Sequence, residues 1–261
     1  MSDWNPALYC RFEDERTRPA AELLARVPLE TPQYVVDLGC GPGNSTELLV
    51  ERYPAARIVG IDMSPAMLQA ARQRLPALRF QRGDIADTES LSTTPVDLAY
   101  ANAALQWVPD HERLIPRLLS RLARGGALAM QVPDNLDEPS HALMRAVARD
   151  SRFAPSIGGA NDARSRILPA ERYYDLLAPE CDVDLWRTTY YHRMDSAAAI
   201  VDWLRATGLK PFIEALTADL QTAFLAEYER RVDAAYPPRP DGKRLLAFPR
   251  LFCVARRRGG P

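Results

Sequence analysis

The chain has 261 residues, and its 33 basic and 34 acidic side chains leave a formal charge of −1 at pH 7. This balance argues against a nucleic-acid or membrane-surface partner, because both attract a clear excess of positive charge. Hydrophobic residues make up 47% of the chain and charged residues 26%, so we expect a globular protein and not a disordered one.

The cysteines and the apolar runs bear on where the protein works. The four cysteines, at positions 10, 40, 181 and 253, are far apart, and none has a partner at the spacing of a zinc site. The first residues are rich in charge, and no apolar run approaches the roughly 18 residues that span a bilayer. We therefore expect a cytoplasmic protein without a metal, a disulfide or a membrane segment, and we expect it to be a monomer.

From residue 14 to residue 132 helical and strand-like patterns alternate, which is typical of βαβ units around a parallel sheet. Short apolar runs indicate buried strands, and Ser64 ahead of Pro65 marks the start of a helix. In chain order the pattern predicts a helix at 13–27, a strand at 34–38, a helix at 45–53, a strand at 57–61, a helix at 65–75, strands at 78–82 and 96–101, a helix at 111–122 and a strand at 127–132.

The second half of the chain is less regular. Residues 134–179 are rich in proline, arginine and small polar residues, and a loose stretch at 152–168 reads as a lid or an insertion. Periodic apolar residues predict helices at 141–149, 171–177, 197–207 and 217–235, and runs rich in β-branched and aromatic residues predict strands at 183–192 and 246–255.

These elements predict an α/β fold, a Rossmann-like, doubly wound, seven-stranded mixed sheet with a helical insertion or cap in the C-terminal half. We expect one domain over 1–261. Its cofactor-binding half is 1–133, its helical cap elements are 134–180 and 195–240, and its final strands are 181–194 and 245–257.

The strongest chemical pattern is a glycine-rich turn between the first strand and the next helix, with glycines at positions 39, 41 and 43. Glycine lets the backbone turn tightly and approach a ligand, and the helix that follows presents free N–H groups. A dinucleotide fingerprint needs its third glycine at position 44, which is Asn44, and Pro42 removes a backbone donor. Asp37 instead suits a ligand that carries a positive charge and an amino group, as a sulfonium cofactor does.

Three further strand ends carry candidate cofactor contacts. Asp62 closes the second strand about twenty residues after the turn, where an acid can bind the two hydroxyls of a ribose. Gly83, Asp84 and Ile85 follow the third strand, where the acid suits an adenine amino group and the isoleucine its face. The segment 101–107, which follows the fourth strand, contains Asn102 and Trp107.

The motifs DLGCGPGNST, GID, GD and ANAALQW, at these spacings, resemble those of the class I S-adenosylmethionine-dependent methyltransferases. Segments such as WVPDH, MQVPDN, DWLRATGLKP and LLAFPRLFCVARR extend the resemblance over nearly the whole chain, to the bacterial carboxyl methyltransferases that esterify trans-aconitate. The resemblance implies S-adenosylmethionine as cofactor, a small tricarboxylate as substrate, and a monomethyl ester as product. The cofactor contacts that it implies are Asp37, Gly39, Gly41, Gly43, Asp62, Met63, Gly83, Asp84, Ile85 and Asn102.

Methyl transfer to a carboxylate requires no general base, because a carboxylate with a pKa near 4 is already ionised at neutral pH. The non-reacting carboxylates need cationic or hydrogen-bonding partners once they leave water. The candidates are Tyr9, Arg11, Arg18, Trp107, Tyr191 and Arg250, with Tyr190 and His192 close by in sequence. Arg250 is the most notable of them, because an arginine within an apolar run needs an anionic partner if it is buried.

Three alternatives remain open on the sequence. One is a methyltransferase for another small acid, or for a hydroxyl or an amine that would need a general base. The second is a nucleotide-binding oxidoreductase, against which the displaced third glycine counts. The third is a cofactor-binding module without catalytic activity.

Overall fold

The computed structural model describes residues 13–87, 94–158, 166–205 and 207–259. Its strands are β1 (Tyr34–Leu38), β2 (Arg57–Asp62), β3 (Arg79–Arg82), β4 (Val96–Asn102), β5 (Leu122–Pro133), β6 (Cys181–Met194) and β7 (Arg244–Arg257). They form one seven-stranded sheet in the order β3-β2-β1-β4-β5-β7-β6. The pairs β1–β2, β1–β4, β2–β3 and β4–β5 are parallel. The predicted α/β class and doubly wound order are confirmed.

The helices are α1 (Glu13–Ala25), α2 (Asn44–Arg52), α3 (Pro65–Arg74), α4 (His111–Ser120), α5 (Pro139–Ala148), α6 (Ala154–Ile157), α7 (Ala170–Leu177), α8 (Ala197–Arg205), α9 (Lys210–Glu214) and α10 (Ala218–Ala235), with a 3₁₀ turn at Leu105–Trp107. The predicted start signal explains where α3 begins. Ser64 caps α3, because its Oγ accepts a hydrogen bond from the Met67 N–H at 3.1 Å.

Three elements differ from the prediction. The strand expected to begin at residue 127 begins at Leu122, because Gly125 adopts a positive φ and the register shifts at this point, which lets the strand pass through a bulge. The loose stretch 152–168 contains the short helix α6, and α9 occupies a segment expected to be a connection. Both helices are near one turn long and begin beside a proline, so they leave little periodicity to detect.

The described residues form two compact units. The sheet unit comprises 13–87, 94–133, 166–188 and 251–259, and its core is the apolar face of β1, β2, β4 and β5 with α4 and α7. The helical unit comprises 134–158, 189–205 and 207–250, where α10 packs on α5 and α8. Within α10 the ring of Phe224 lies against those of Tyr228 and of Phe153, which precedes α6. The predicted cap block 134–180 is divided between the two units, and the single domain over 1–261 stays a prediction.

Candidate cofactor and active site

The glycine-rich turn lies where β1 and β4 are neighbours and the strand order reverses, which is where ligands bind in doubly wound sheets. Gly39, Gly41 and Gly43 all have positive φ, at 71°, 53° and 95°. The N–H groups of Gly39 and Cys40 both donate to the Ile61 carbonyl, at 2.8 and 3.0 Å. The turn is thereby fastened to the end of β2 in a conformation that favours glycine.

Two of these glycines differ in what surrounds them. A Cβ on Gly39 would lie 2.3 Å from the Cβ of Ala104, so this glycine permits the segment after β4 to pack against the turn. A Cβ on Gly41 would meet nothing within 4 Å. Gly41 therefore borders open space, and it lines a cleft together with Asn44 and Asn102.

Asp37 is fully buried at the end of β1. Its Oδ2 accepts hydrogen bonds from Ser45 Oγ at 2.7 Å and Thr46 Oγ1 at 2.6 Å, whereas its Oδ1 is buried and has no hydrogen-bond partner among the described residues. Burial raises the pKa of Asp37 to about 6, even though the two hydroxyls act to lower it. A buried acceptor of this kind suits a cationic donor supplied by a ligand.

Asp62 joins the turn to the next helix. Its Oδ2 accepts the Gly41 N–H at 2.9 Å, and its Oδ1 accepts the Ser64 N–H at 2.8 Å. Both oxygens of the Asp62 carboxylate are thus engaged by backbone N–H groups, which fixes its orientation at the end of β2. Ser64 supplies the helix cap, as the sequence predicted, and Asp62 holds the loop beside it.

The third predicted cluster follows β3. Asp84 is exposed, and its Oδ1 accepts the Ala86 N–H at 2.8 Å, while Ile85 is buried. The Gly83 N–H donates to the Asp62 carbonyl at 3.1 Å, and Met63, just after Asp62, is 56% exposed. The structure thus brings Gly83 and Met63 beside Asp62, and contact of these residues with an adenine stays a prediction.

The end of β4 carries a polar network. Gln131 Nε2 donates to Asn102 Oδ1 at 2.7 Å, and Gln106 Nε2 donates to the Ala103 carbonyl at 2.6 Å. Ala103 has φ 52°, which is strained for a residue with a Cβ. Gln106 Oε1 is buried without a hydrogen-bond partner among the described residues. Asn102 lines the cleft together with the turn.

The sequence reasoning missed two residues of the cleft, Asn44 and Thr17. Both line it, and the buried Oδ1 and Nδ2 of Asn44 and Oγ1 of Thr17 make no hydrogen bond within the described part of the chain. Asn44 stands where a dinucleotide fingerprint has glycine, which is a signal that could have identified it. Thr17 lies in α1 with no pattern to mark it. Together they offer a donor and acceptors for a ligand that is both an amine and an acid.

The predicted substrate residues are in different surroundings. Arg18 is exposed and pairs with Glu22 at 2.9 Å, whereas Trp107 is half-buried in the 3₁₀ turn of the sheet unit. In the helical unit Tyr191 is 65% exposed, and Arg250 is only 4% exposed. Tyr9 and Arg11 lie outside the described residues.

Arg250 is surrounded by aromatic rings. Its guanidinium carbon is 4.7 Å from the centroid of Phe248 and 5.9 Å from that of Tyr190, and His192 packs against both of these rings. A buried cation on aromatic faces is strongly desolvated, so it favours an anionic ligand. Arg250 is therefore buried, which is the condition under which the sequence predicts that it needs an anionic partner.

The described ranges contain neither a candidate metal cluster nor a candidate membrane-spanning helix. No group of three or more histidine, cysteine, aspartate or glutamate residues there could hold a metal ion. Nor does any helix of those ranges combine the length and the apolar character needed to cross a bilayer.

Comparison with known proteins places these features in context. A family model described as a methyltransferase domain matches residues 35–126. A trans-aconitate 2-methyltransferase of Variovorax paradoxus (strain S110) is 64% identical over 259 residues, which cover 99% of this chain and 100% of that protein. A trans-aconitate 2-methyltransferase of Methylobacterium radiotolerans is 60% identical over 260 residues, covering 98% and 99%.

Solved structures share the fold at low sequence identity. The YcgJ protein of Bacillus subtilis superposes with a TM-score of 0.59 at 13% identity, over 93% of this chain and 100% of that one. A phosphoethanolamine N-methyltransferase of Haemonchus contortus, solved with S-adenosyl-L-methionine, gives a TM-score of 0.55 at 14% identity, over 92% of this chain and 52% of that one. These likenesses confirm the predicted Rossmann-like sheet.

Proposed function

The chain belongs to the trans-aconitate 2-methyltransferase family, and from that premise we propose that it transfers a methyl group from S-adenosylmethionine to one carboxylate of trans-aconitate. The observation that carries this proposal is 64% identity to a named relative over essentially the full length of both chains. The products are the monomethyl ester and S-adenosylhomocysteine.

The cleft of the sheet unit fits the methionyl end of this cofactor. That end carries an ammonium and a carboxylate, and the buried atoms without partners are the acceptor Oδ1 of Asp37, the amide of Asn44 and the hydroxyl of Thr17. We assign the ammonium to Asp37 and the carboxylate to Asn44 and Thr17, because a carboxylate accepts only and an ammonium donates only. Gly39, Gly41 and Gly43 leave room for the ligand beside the backbone.

The remaining predicted contacts fit the nucleoside end. Asp62, which two backbone N–H groups orient at the end of β2, would hold the ribose hydroxyls. Met63, Gly83, Asp84 and Ile85 would surround the adenine, whose amino group suits the exposed Asp84. Asn102, which also lines the cleft, would complete the enclosure.

The protein's contribution to the chemistry is alignment. S-adenosylmethionine supplies a methyl group on a sulfonium centre, and the acid is already an ionised nucleophile at neutral pH. Because the reacting oxygen is already ionised, no basic side chain is needed beside it. Positioning of the two reactants can lower the barrier by about 7–11 kcal/mol. A reacting carboxylate that was strongly paired would be stabilised in the ground state, which would slow the reaction.

The other two carboxylates need a clamp, for which we propose Arg250 as the principal residue, with Tyr9, Arg11, Arg18, Trp107 and Tyr191 as further candidates. Burial of the Arg250 guanidinium on Phe248 and Tyr190 supports this, because it is desolvated before any ligand arrives. We also propose that the enzyme is a cytoplasmic monomer that takes its acid free in solution.

The proposal is tested by transfer of labelled methyl groups from S-adenosylmethionine to a panel of acids, with products identified by mass. The panel contains trans-aconitate, cis-aconitate, isocitrate, citrate and several monocarboxylates. The expected result is a higher kcat/KM for trans-aconitate than for every other acid. A preference for another small acid would keep the cofactor site and overturn the substrate, and no binding of S-adenosylhomocysteine would overturn both.

The clamp is tested by Arg250→Lys and Arg250→Gln, with Arg230→Gln as control. Arg230 is in the same unit, and its side chain is 69% exposed beside Glu227, so its loss should change little. Both Arg250 variants should raise KM for the acid by at least about tenfold, because one charge-assisted contact contributes about 1.5–3 kcal/mol. An unchanged KM in Arg250→Lys would remove Arg250 from the clamp.

A further inference from the structure

His111 at the start of α4 connects two parts of the sheet unit. Its ring is buried, with Nδ1 2.5 Å from the hydroxyl of Tyr173 and Nε2 2.8 Å from the carbonyl oxygen of Leu105. A carbonyl oxygen can only accept, so Nε2 carries the proton and Nδ1 accepts from the tyrosine. These contacts form a hydrogen-bond chain, in which Tyr173 donates to His111 and His111 donates to Leu105.

This hydrogen-bond chain ends at Leu105, three residues after Asn102, which lines the cleft. Leu105 is in the 3₁₀ turn directly after Ala104, whose Cβ packs against Gly39 so closely that no side chain fits there. The same segment begins with the strained Ala103. Such a backbone persists only when its surroundings hold it, and the contact from His111 to the Leu105 carbonyl is one of those restraints.

The hydrogen-bond chain begins in α7, and two consecutive residues of α7 contact α4. Arg172 makes a bidentate ion pair with Glu112, at 3.1 Å from one Nη atom to both carboxylate oxygens, and Tyr173 bonds to His111. The ion pair is half-exposed, whereas Tyr173 is fully buried. Exposed pairs contribute about 0–1 kcal/mol, so the buried chain is the more informative contact.

We infer that Tyr173 and His111 are positioning residues of the cofactor site, which hold the segment 103–107 against the glycine-rich turn in the geometry that binds the cofactor. They touch neither substrate nor cofactor in this role. The inference rests on the proposed function, because it assigns the cleft to S-adenosylmethionine.

Three conservative variants separate the links of the chain. His111→Gln places an amide N–H near the position of Nε2 and keeps the donor to Leu105, whereas His111→Asn is too short to reach that carbonyl. Tyr173→Phe removes only the hydroxyl. Affinity for S-adenosylhomocysteine, measured by calorimetry, should fall about 2- to 10-fold in Tyr173→Phe and further in His111→Asn, and His111→Gln should recover most of the loss.

Two controls match the chemistry of these changes. Tyr53→Phe deletes another buried tyrosine hydroxyl of the sheet unit, which donates to the Leu29 carbonyl at 3.0 Å, at the end of α2 away from the turn. Arg172→Gln weakens the contact of α7 with α4 but leaves both bonds of the hydrogen-bond chain in place. Both should keep cofactor affinity within twofold of the parent, even if their melting temperatures fall as far as that of Tyr173→Phe.

The inference fails if Tyr53→Phe and Tyr173→Phe weaken binding equally, or if His111→Gln is no better than His111→Asn, because the contacts would then be merely structural. The proposed function fails separately. If the parent enzyme binds S-adenosylhomocysteine but methylates no acid, the proposed substrate is wrong. The order of the variants in their affinity for S-adenosylhomocysteine still decides whether Tyr173 and His111 are positioning residues.

Discussion

Replacement of Gly41 by alanine should damage ligand binding far more than folding. The new Cβ would meet no atom within 4 Å, so the folded protein accommodates it without a clash. The residue keeps its φ of 53°, and a left-handed conformation costs an alanine about 1–2 kcal/mol. For a chain of this size we expect the melting temperature to fall by about 2–8 °C.

Gly41 lines the cleft that we assign to the cofactor, so we expect the same Cβ to take up part of that space. We therefore expect affinity for S-adenosylhomocysteine to fall by at least about tenfold, which corresponds to about 1.4 kcal/mol. The matched control is Gly125→Ala. Gly125 also has a positive φ, of 77°, and open space around its Cβ position, but it lies in the bulge of β5 and does not line the cleft. Its loss of stability should be similar and its affinity unchanged.

Gly39→Ala should show the opposite balance. Its Cβ would lie 2.3 Å from that of Ala104, which adds overpacking of about 1–3 kcal/mol to the left-handed strain. Urea unfolding and calorimetric titration of the three variants test the reasoning. Normal cofactor affinity in Gly41→Ala, or an equal loss of affinity in Gly125→Ala, would refute the assignment of this space to the cofactor.

Two further predictions concern buried polar groups. Because the pKa of Asp37 is raised to about 6 from 3.8, folding takes up a proton between these values, and the contribution of Asp37 to stability falls as pH rises through that window. Asp37→Asn should therefore be no more stable than the parent near pH 4 and more stable by about 3 kcal/mol at pH 7, while it binds S-adenosylhomocysteine more weakly. Urea unfolding at the two pH values measures the stability difference, and a difference that is independent of pH would contradict the prediction. Tyr228 donates to the Ser140 carbonyl at 2.8 Å in the helical unit. Tyr228→Phe should therefore lower the free energy of unfolding by about 1–2 kcal/mol without changing cofactor affinity, and a large change in cofactor affinity would contradict this prediction.

The order of the sheet unit was predictable because its signals are local. The strand 34–38 has the predicted bounds, and the cap at Ser64 places the start of α3 correctly. The turn, Asp37 and Asp62 come together because parallel strands present their carboxyl ends at one edge of the sheet. Residue type and strand order were therefore sufficient to predict that these residues lie close together.

The rest of the site depends on contacts between residues that are distant in sequence. Tyr173 is 62 residues from His111, and Thr17 lines the cleft only because α1 packs near the turn. The sequence placed His111 correctly at the start of a helix, but neither hydrogen bond of its ring leaves a pattern. Such partners are set by packing, which no single-sequence periodicity encodes.

The electrostatics of the unliganded cleft explain why it suits a cation. Asp62 raises the pKa of Asp37 further, because each carboxylate disfavours ionisation of the other, and burial is the larger cause. The protein thus holds at the end of β1 an acid that is costly to ionise and an oxygen that nothing within the described residues satisfies. A ligand with an ammonium group relieves the desolvation, the repulsion and the missing hydrogen bond at once, so binding and deprotonation of Asp37 are coupled. Cofactor affinity should therefore rise with pH through about 6 in the parent and lose that dependence in Asp37→Asn, and an unchanged pH profile in the variant would mean that Asp37 does not bind the ammonium.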